Sequence, residues 1–201
     1  MKHATRPYHH GNLRQALLRA AEAALETRGI QQLSLRELSR ELGVSHASPQ
    51  RHFATKQDLI DALAIMGFER LDSVMSRAAE THSQDFGVRL TKVALAYLAF
   101  ALKHPALLAL MFEAKRQPEM PAALQTALFA AFSHTPRILK EGQVAGKIAP
   151  GDPYRMAITM GAVVHGLVSM SINGKIKGDS LKAIVPETIQ HLLNGLSTIK
   201  S

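Results

Sequence analysis

Apolar residues recur at helical spacing along most of the chain. In the first predicted helix, Leu13, Leu17 and Ala24 fall on one face, with Arg14 and Arg19 between them. No stretch alternates apolar and polar residues for long enough to predict a strand. The pattern therefore predicts an all-α fold with about nine helices in total.

Capping signals place the helices that follow. Ser34 and Glu37 have the spacing of a capping box, which predicts the start of a second helix. Gly43 stands where a left-handed residue would end it, and Ser45 can cap a third, very short helix. Thr55 and the residues after it offer a cap for a fourth helix, which we expect to run to about residue 80.

The rest of the chain predicts five further helices. One covers about 86–103, and a long segment reaching about Lys147 should be kinked at Pro136. Asp152 is placed to cap the next helix, with Pro153 at its first position. Pro186 is expected to open the last helix.

The segment between Arg155 and Lys175 has nineteen residues without formal charge, close to the length that crosses a bilayer. It also contains a stripe of small residues at helical spacing, Ala162, Gly166 and Ser169. Small residues let another helix approach closely, so we favour a helix buried in a core or a dimer interface over a membrane span.

Composition and charge narrow the class of protein. The chain of 201 residues is 46% apolar and contains no cysteine, which excludes disulfides, thiolate metal sites and cysteine nucleophiles. No apolar run typical of a signal peptide follows Met1, so we expect a cytoplasmic protein. The net charge of +8 suggests a polyanionic partner.

The segment from Leu35 to Phe53 has the organisation of a helix-turn-helix, with a capped helix, a tight turn at Gly43-Val44 and a short polar helix. The exposed residues of the short helix are small or form hydrogen bonds, which suits contact with base edges and phosphates. Helix pairs joined by glycine turns are also common in other helical proteins, so spacing alone leaves the function open.

The order of these residues resembles the TetR family of bacterial transcriptional regulators. The resemblance covers roughly 12–70 and is carried by these segments: Ala20-Ala21, Gly29, Leu33–Leu38, Leu42–Ser45, Arg51–Phe53 and Thr55–Ile60. In the second half, Tyr97–Pro105 and Val164-His165-Gly166 resemble the subgroup with a Trp-His-Gly-type C-terminal domain, although this chain has no tryptophan.

The resemblance implies a flexible basic arm (1–9), a helix-turn-helix DNA-binding domain (10–60) and a ligand-binding and dimerisation domain (61–201). The residues expected at double-stranded DNA are Arg6, Ser34, Arg36, Ser45, His46, Ala47, Ser48, Gln50, Arg51, His52 and Lys56. Ser45, His46, Ser48 and Gln50 are the candidates for base edges, while His52 and Lys56 by resemblance contact phosphates. Gln50 stands where the family usually has tyrosine, and its amide could read adenine instead.

In this family the last two helices form a homodimer, and the middle helices bind an effector. The predicted dimer residues are Ala162, Gly166, Ser169, Leu192, Leu196 and Ile199. The predicted pocket for an unknown small-molecule effector uses Tyr97, Phe100, Met111, Phe112, Phe129, Phe132, Met160 and His165. For each of these residues taken separately, core packing is the favoured explanation, and a structural histidine is the default interpretation of His165.

Nothing in the sequence indicates catalysis. We find no phosphate-binding glycine loop, no nucleophile elbow and no histidine spacing typical of a metal site, so no cofactor, metal or enzymatic activity is expected. The leading hypothesis is a dimeric, ligand-responsive transcription factor that represses from a palindromic operator. The alternatives are a helical small-molecule-binding protein or enzyme with an incidental basic surface, and a nonspecific nucleoid-type DNA binder.

Overall fold

A computed structural model describes residues 13–80, 83, 85–115 and 119–195 of the chain. This part forms ten α-helices and one short 3-10 helix, with no strand. The α-helices are α1 (Leu13–Arg28), α2 (Leu35–Glu41), α3 (Ala47–Gln50), α4 (Lys56–Ala79), α5 (Phe86–Lys103), α6 (Pro105–Ala114), α7 (Ala122–Ala131), α8 (His134–Val144), α9 (Pro153–Ile172) and α10 (Gly178–Gly195). The all-α prediction is confirmed, with one more α-helix than expected.

The chain divides into two compact units that are not contiguous in sequence. Of the described residues, the N-terminal unit comprises those up to Gly67 together with those of Ala106–Leu124. The C-terminal unit comprises those of Phe68–Pro105 together with those from Gln125 onward.

The N-terminal unit is built around α1, α2 and α3, which pack against one another. Leu17 and Leu38 are fully or almost fully buried, and Phe53 after α3 is 2% exposed. The guanidinium of Arg28 joins α1 to α2 through Glu41, with Nη2 2.6 Å from Oε1. Burying these apolar side chains fixes α3 on two supporting helices, each side chain contributing about 1.5–3 kcal/mol.

In the C-terminal unit, α5 is the central helix and packs against α8, α9 and α10. Seven of its eighteen residues are buried. Its first turn is capped by Asp85, whose Oδ1 accepts hydrogen bonds from the backbone N–H groups of Gly87 and Val88. A helix packed on three sides accounts for the nearly continuous apolar run in its sequence.

The expected kink at Pro136 is wrong. The long segment is two helices, since α7 ends at Ala131 and α8 begins at His134. The Ser133 hydroxyl donates to the Ala130 carbonyl at 2.8 Å and closes the break between them. Pro136 is the third residue of α8, where its missing N–H would have had no partner within the helix.

The prediction that Pro186 opens the last helix is also wrong, because α10 begins at Gly178 and includes Pro186. Leu181, Val185 and Ile189 lie one turn apart on both sides of the proline, and all three are buried. Their packing outweighs the cost of a proline inside a helix, about 3 kcal/mol.

The apolar helix α9 begins where the sequence predicted, with Asp152 Oδ1 accepting from the Tyr154 N–H at 2.8 Å. It buries one stripe, formed by Met160, Val164 and Val168. In the described part of the chain it is the single helix that has by itself the length and hydropathy to cross a membrane, with a mean hydropathy of 1.3. Only 17% of the residues in the apolar 18-residue stretch of α9 are buried, so α9 is not a core helix within one chain.

Candidate nucleic-acid interface

The turn between α2 and α3 is closed by backbone hydrogen bonds at the end of α2. The Val44 N–H donates to the Ser39 carbonyl at 3.0 Å, and the Gly43 N–H donates to the Arg40 carbonyl at 3.2 Å. These two bonds are the Schellman pattern, which needs a left-handed residue at Gly43. Gly43 has a φ of 64°, so the sequence and the geometry agree at this position.

The short helix α3 presents polar side chains to solvent and one apolar residue to the unit's interior. His46, Gln50 and Arg51 are exposed, while Pro49 is buried. The Ser45 and Ser48 hydroxyls lie 2.8 Å apart and share a hydrogen bond across the start of the helix. Pro49 lies in the first turn, so its missing N–H leaves no intrahelical bond unmade and the helix forms despite it.

Phe53 anchors the end of α3. The N–H groups of His52 and Phe53 both donate to the Pro49 carbonyl at 2.9 Å. The guanidinium carbon of Arg14 on α1 lies 5.5 Å from the centre of the Phe53 ring. The buried ring and the cation over it hold α3 in place.

Ser34 is the N-cap of α2, but the predicted capping box does not form. Its extended backbone (φ −144°, ψ 128°) suits a cap, yet its hydroxyl makes no capping hydrogen bond. The Glu37 carboxylate instead lies 3.9 Å from the Arg28 guanidinium. The Ser34 side chain is therefore not committed to capping α2.

A reciprocal capping box does form at the start of α4. The Thr55 N–H donates to Asp58 Oδ2 at 2.8 Å, and the Asp58 N–H donates to Thr55 Oγ1 at 3.1 Å. A carboxylate therefore already occupies part of the helix end that the sequence suggested as a weak anion site. The Lys56 ammonium donates to the Gln31 carbonyl at 3.2 Å and remains exposed.

Most predicted DNA contacts of the N-terminal unit lie on its surface. Ser34 and Ser48 are half-buried, and the exposed members are Arg36, Ser45, His46, Ala47, Gln50, Arg51, His52 and Lys56. Arg36, Arg51 and Lys56 make no ion pair with any other described residue. Arg6 lies outside the described residues. The surface formed by α2, the turn and α3 thus carries cations that no carboxylate of the described residues neutralises.

The residues predicted for an effector pocket fall in both units. In the C-terminal unit, Tyr97, Phe100 and Met160 are buried and His165 is half-buried. The Tyr97 hydroxyl and His165 Nδ1 lie 2.6 Å apart and share a hydrogen bond between α5 and α9. Burial raises the pKa of Tyr97 well above its usual value, so the phenol stays protonated.

The remaining pocket candidates are placed differently. Met111 is fully buried and Phe112 half-buried in the N-terminal unit. Phe129 is 64% and Phe132 36% exposed in the C-terminal unit. A cleft of about 880 Å³ exists elsewhere in the C-terminal unit, and none of the predicted pocket residues lines it.

The predicted dimer residues lie on the open face of α9 and along α10. Ala162 and Gly166 are exposed, and Ser169 and Leu192 are half-buried. Leu196 and Ile199 lie outside the described residues. This face also carries larger side chains that are not among the predicted dimer residues: Tyr154 (67% exposed), Ile158 (70%), Val163 (38%) and Met170 (43%). No pattern within α9 separates them from core residues.

The fold and the exposed helix-turn-helix define a helical DNA-binding regulator. Two family models agree with this class. The model of the bacterial regulatory proteins of the tetR family matches residues 17–63, and that of the tetracyclin repressor-like C-terminal domain matches residues 90–194. The second match covers more than half of the chain. The chain belongs to the TetR family of transcription regulators.

The chain is also similar to solved structures and to a curated protein. A protein of unknown function from Rhodococcus sp. RHA1 is 41% identical, covers 96% of this chain and 100% of its own, and has a TM-score of 0.89. The TetR family regulator PfmR from Thermus thermophilus shares the fold, with a TM-score of 0.69 at 16% identity over 90% of this chain and 99% of its own. The nucleoid occlusion factor SlmA from Pectobacterium carotovorum subsp. carotovorum (strain PC1) is 28% identical, covering 83% of this chain and 86% of SlmA.

Proposed function

We propose that the protein is a cytoplasmic repressor that binds a palindromic operator as a homodimer and is released by a small molecule. The observation that carries the proposal is the surface of α3, where His46, Gln50 and Arg51 are exposed on a helix anchored from behind by Pro49 and Phe53. A rigid short helix with hydrogen-bonding side chains suits the major groove.

Dimerisation follows from the limited surface of one helix-turn-helix. Specific binding generally needs two copies about 34–36 Å apart. The open face of α9 is an extended apolar surface with Gly166 at its centre, and no atom lies within 4 Å of the position of a Cβ there. A second copy packed on this face would remove that apolar surface from water.

Release by an effector requires that the effector bind one conformation better than the other. The hydrogen bond between Tyr97 and His165 is a suitable target, because it joins α5 to α9 in a partly buried setting. A ligand that took either hydrogen-bonding group for itself would change the packing of these helices. Tyr97, Phe100, Met160 and His165 remain our proposed effector contacts.

A second candidate function is supported by one comparison. The curated relative is named a nucleoid occlusion factor. A nucleoid-associated role for this chain would still use the same helix-turn-helix, but it would not require specific binding to one operator sequence. Sequence discrimination therefore separates the two candidates.

The test is fluorescence anisotropy with a duplex that the purified protein enriches from a random pool, compared with a scrambled duplex at matched salt. A repressor should bind the enriched duplex at least about a thousandfold more tightly, and its affinity should fall as salt rises. Equal affinity for both duplexes would favour the nucleoid-type role. Absence of binding at low salt would overturn both.

Variants distinguish positioning contacts from base readout. Replacing Arg51 and Lys56 together with alanine should weaken binding to every duplex and reduce the salt slope by about 2. Gln50→Ala should cost about 1–3 kcal/mol and relax preference at one base pair. Arg19→Ala removes an exposed cation from α1, outside the predicted DNA contacts, and serves as the matched control, with little effect expected. An unchanged base preference in Gln50→Ala would refute the role given to that residue.

A further inference from the structure

An open cleft of about 880 Å³ lies at one end of the C-terminal unit. It is lined by the start of α5, the end of α8 with the loop that follows, and the last turns of α10. Its volume falls within the range of small-molecule sites in proteins. None of the described residues of the predicted effector pocket or dimer face belongs to it.

The base of the cleft is apolar and depends on one close approach. Phe86, Ile148 and Leu193 contribute apolar side chains to the lining. A Cβ at Gly142 on α8 would lie 2.5 Å from Ile148 Cδ1 and 3.4 Å from Phe86 Cγ. Glycine at this position therefore allows Ile148 to pack directly on α8, which forms one side of the base.

Both carboxylates of the lining are already engaged by groups of the chain. Asp85 Oδ1 accepts from two backbone N–H groups at the start of α5, at 2.7 and 3.2 Å. Glu141 Oε2 accepts from Arg89 Nη1 at 2.6 Å. One oxygen of each carboxylate is therefore engaged within the chain, and the charge of Glu141 is paired with that of Arg89.

The two cations of the lining, Arg89 and Lys147, can still donate hydrogen bonds to a bound molecule. A guanidinium carries four N–H donors on its two terminal nitrogens, and Arg89 gives one of them to Glu141. Lys147 is exposed on the loop after α8 and makes no ion pair with the described residues. Lys147 is therefore the one cation of the described lining that no described carboxylate pairs with.

We propose that this cleft binds an amphipathic molecule with one negative charge, such as a carboxylate or sulfonate on an apolar body. The apolar body would lie on Phe86, Ile148 and Leu193, and the anionic head would pair with Lys147 and the spare donors of Arg89. The site is separate from the effector contacts proposed above, so it stands whether or not the chain responds to an effector there.

The test uses the full chain and two fluorescent probes with the same ring system. These are 8-anilinonaphthalene-1-sulfonate, which is anionic, and N-phenyl-1-naphthylamine, which is neutral. We expect saturable binding of one anionic probe per chain, tighter than binding of the neutral probe. Lys147→Gln should weaken the anionic probe about two- to fivefold and leave the neutral probe unchanged. Lys140→Gln, an exposed charge on α8 outside the cleft, should change neither.

A blocking variant separates the cleft from other apolar surfaces. Ala145 is exposed and lines the cleft, so Ala145→Trp should abolish binding of both probes. Val144 is 85% exposed and does not line it, so Val144→Trp is the matched control with full binding. Circular dichroism checks that each variant is folded. Unchanged binding in Ala145→Trp, or equal loss in Lys147→Gln and Lys140→Gln, would overturn the proposal. DNA affinity is measured separately, so either result leaves the test of DNA binding intact.

Discussion

The helices α5 and α9 are two apolar helices of similar length with opposite roles. α5 has 18 residues and buries seven of them, whereas α9 has 20 residues and buries three. Each helix packs against three others, but α9 leaves large apolar side chains such as Ile158 and Met170 exposed. An apolar helix of this length can therefore be either a core helix or a surface helix, and the way other helices pack around it decides which.

The largest effect is expected from a substitution on the open face of α9. Gly166→Glu places a charge at the centre of this face, so we expect a monomer in analytical ultracentrifugation. Affinity for the enriched duplex should then fall about a hundredfold or more, because one helix-turn-helix contacts a single half-site. Ala130→Glu, an exposed position on α7, is the control and should remain dimeric. A dimeric Gly166→Glu protein would show that the interface lies elsewhere.

A smaller effect is expected when an apolar side chain of each helix is shortened to alanine and the two losses of stability are compared. Leu98 on α5 is 3% exposed, so Leu98→Ala should lower the free energy of unfolding by about 2–5 kcal/mol. Ile158 on α9 is 70% exposed, so Ile158→Ala should change it by about 0.5 kcal/mol or less at protein concentrations where the chain is monomeric. Urea denaturation measures both. Equal losses would contradict the assignment of α9 to the surface of a single chain.

The smallest expected effect concerns the hydrogen bond that joins the two helices. Tyr97→Phe removes the phenol oxygen that lies 2.6 Å from His165 Nδ1, and should cost about 1 kcal/mol at neutral pH. Denaturant titration measures this cost. Tyr154→Phe, at a tyrosine that is 67% exposed, is the control and should leave stability unchanged.

The same tyrosine should give a signature in alkaline solution. Burial raises the pKa of Tyr97 above the usual 10.0, so the folded state holds the phenol proton more tightly than the unfolded state. This contribution is fully present below pH 10.0 and is lost as the pH rises toward the pKa of the folded state. Tyr97→Phe should therefore lose less stability than the native chain between pH about 10 and 11. An identical alkaline loss in both proteins would contradict the burial of the phenol.

Local signals in the sequence were sufficient for the helix-turn-helix. Gly43 predicted the turn and adopts the positive φ that such a turn needs. Thr55 and Asp58 confirm the start of α4, whereas the similar spacing at Ser34 and Glu37 does not produce a capping box. The difference is a tertiary contact, since the Glu37 carboxylate faces Arg28 on α1. Spacing along the chain cannot reveal such a competitor.

In the C-terminal unit, the residues that distinguish core, cleft and open face are alike in type. Phe100 is buried while Phe129 is 64% exposed, and both sit in apolar helical runs. The cleft was missed because its lining comes from three distant segments and includes ordinary residues such as Lys147 and Asn194. Periodicity within one helix carries no information on which other helices meet it.

The turn before α3 also limits which residues can replace Gly43. No atom lies within 4 Å of the position where a Cβ would stand, so a larger side chain has room. The obstacle is chirality, because the φ of 64° costs an L-residue about 1–2 kcal/mol and suits its mirror image. Glycine is the one standard amino acid whose Cα has no handedness, so it adopts this turn without that cost.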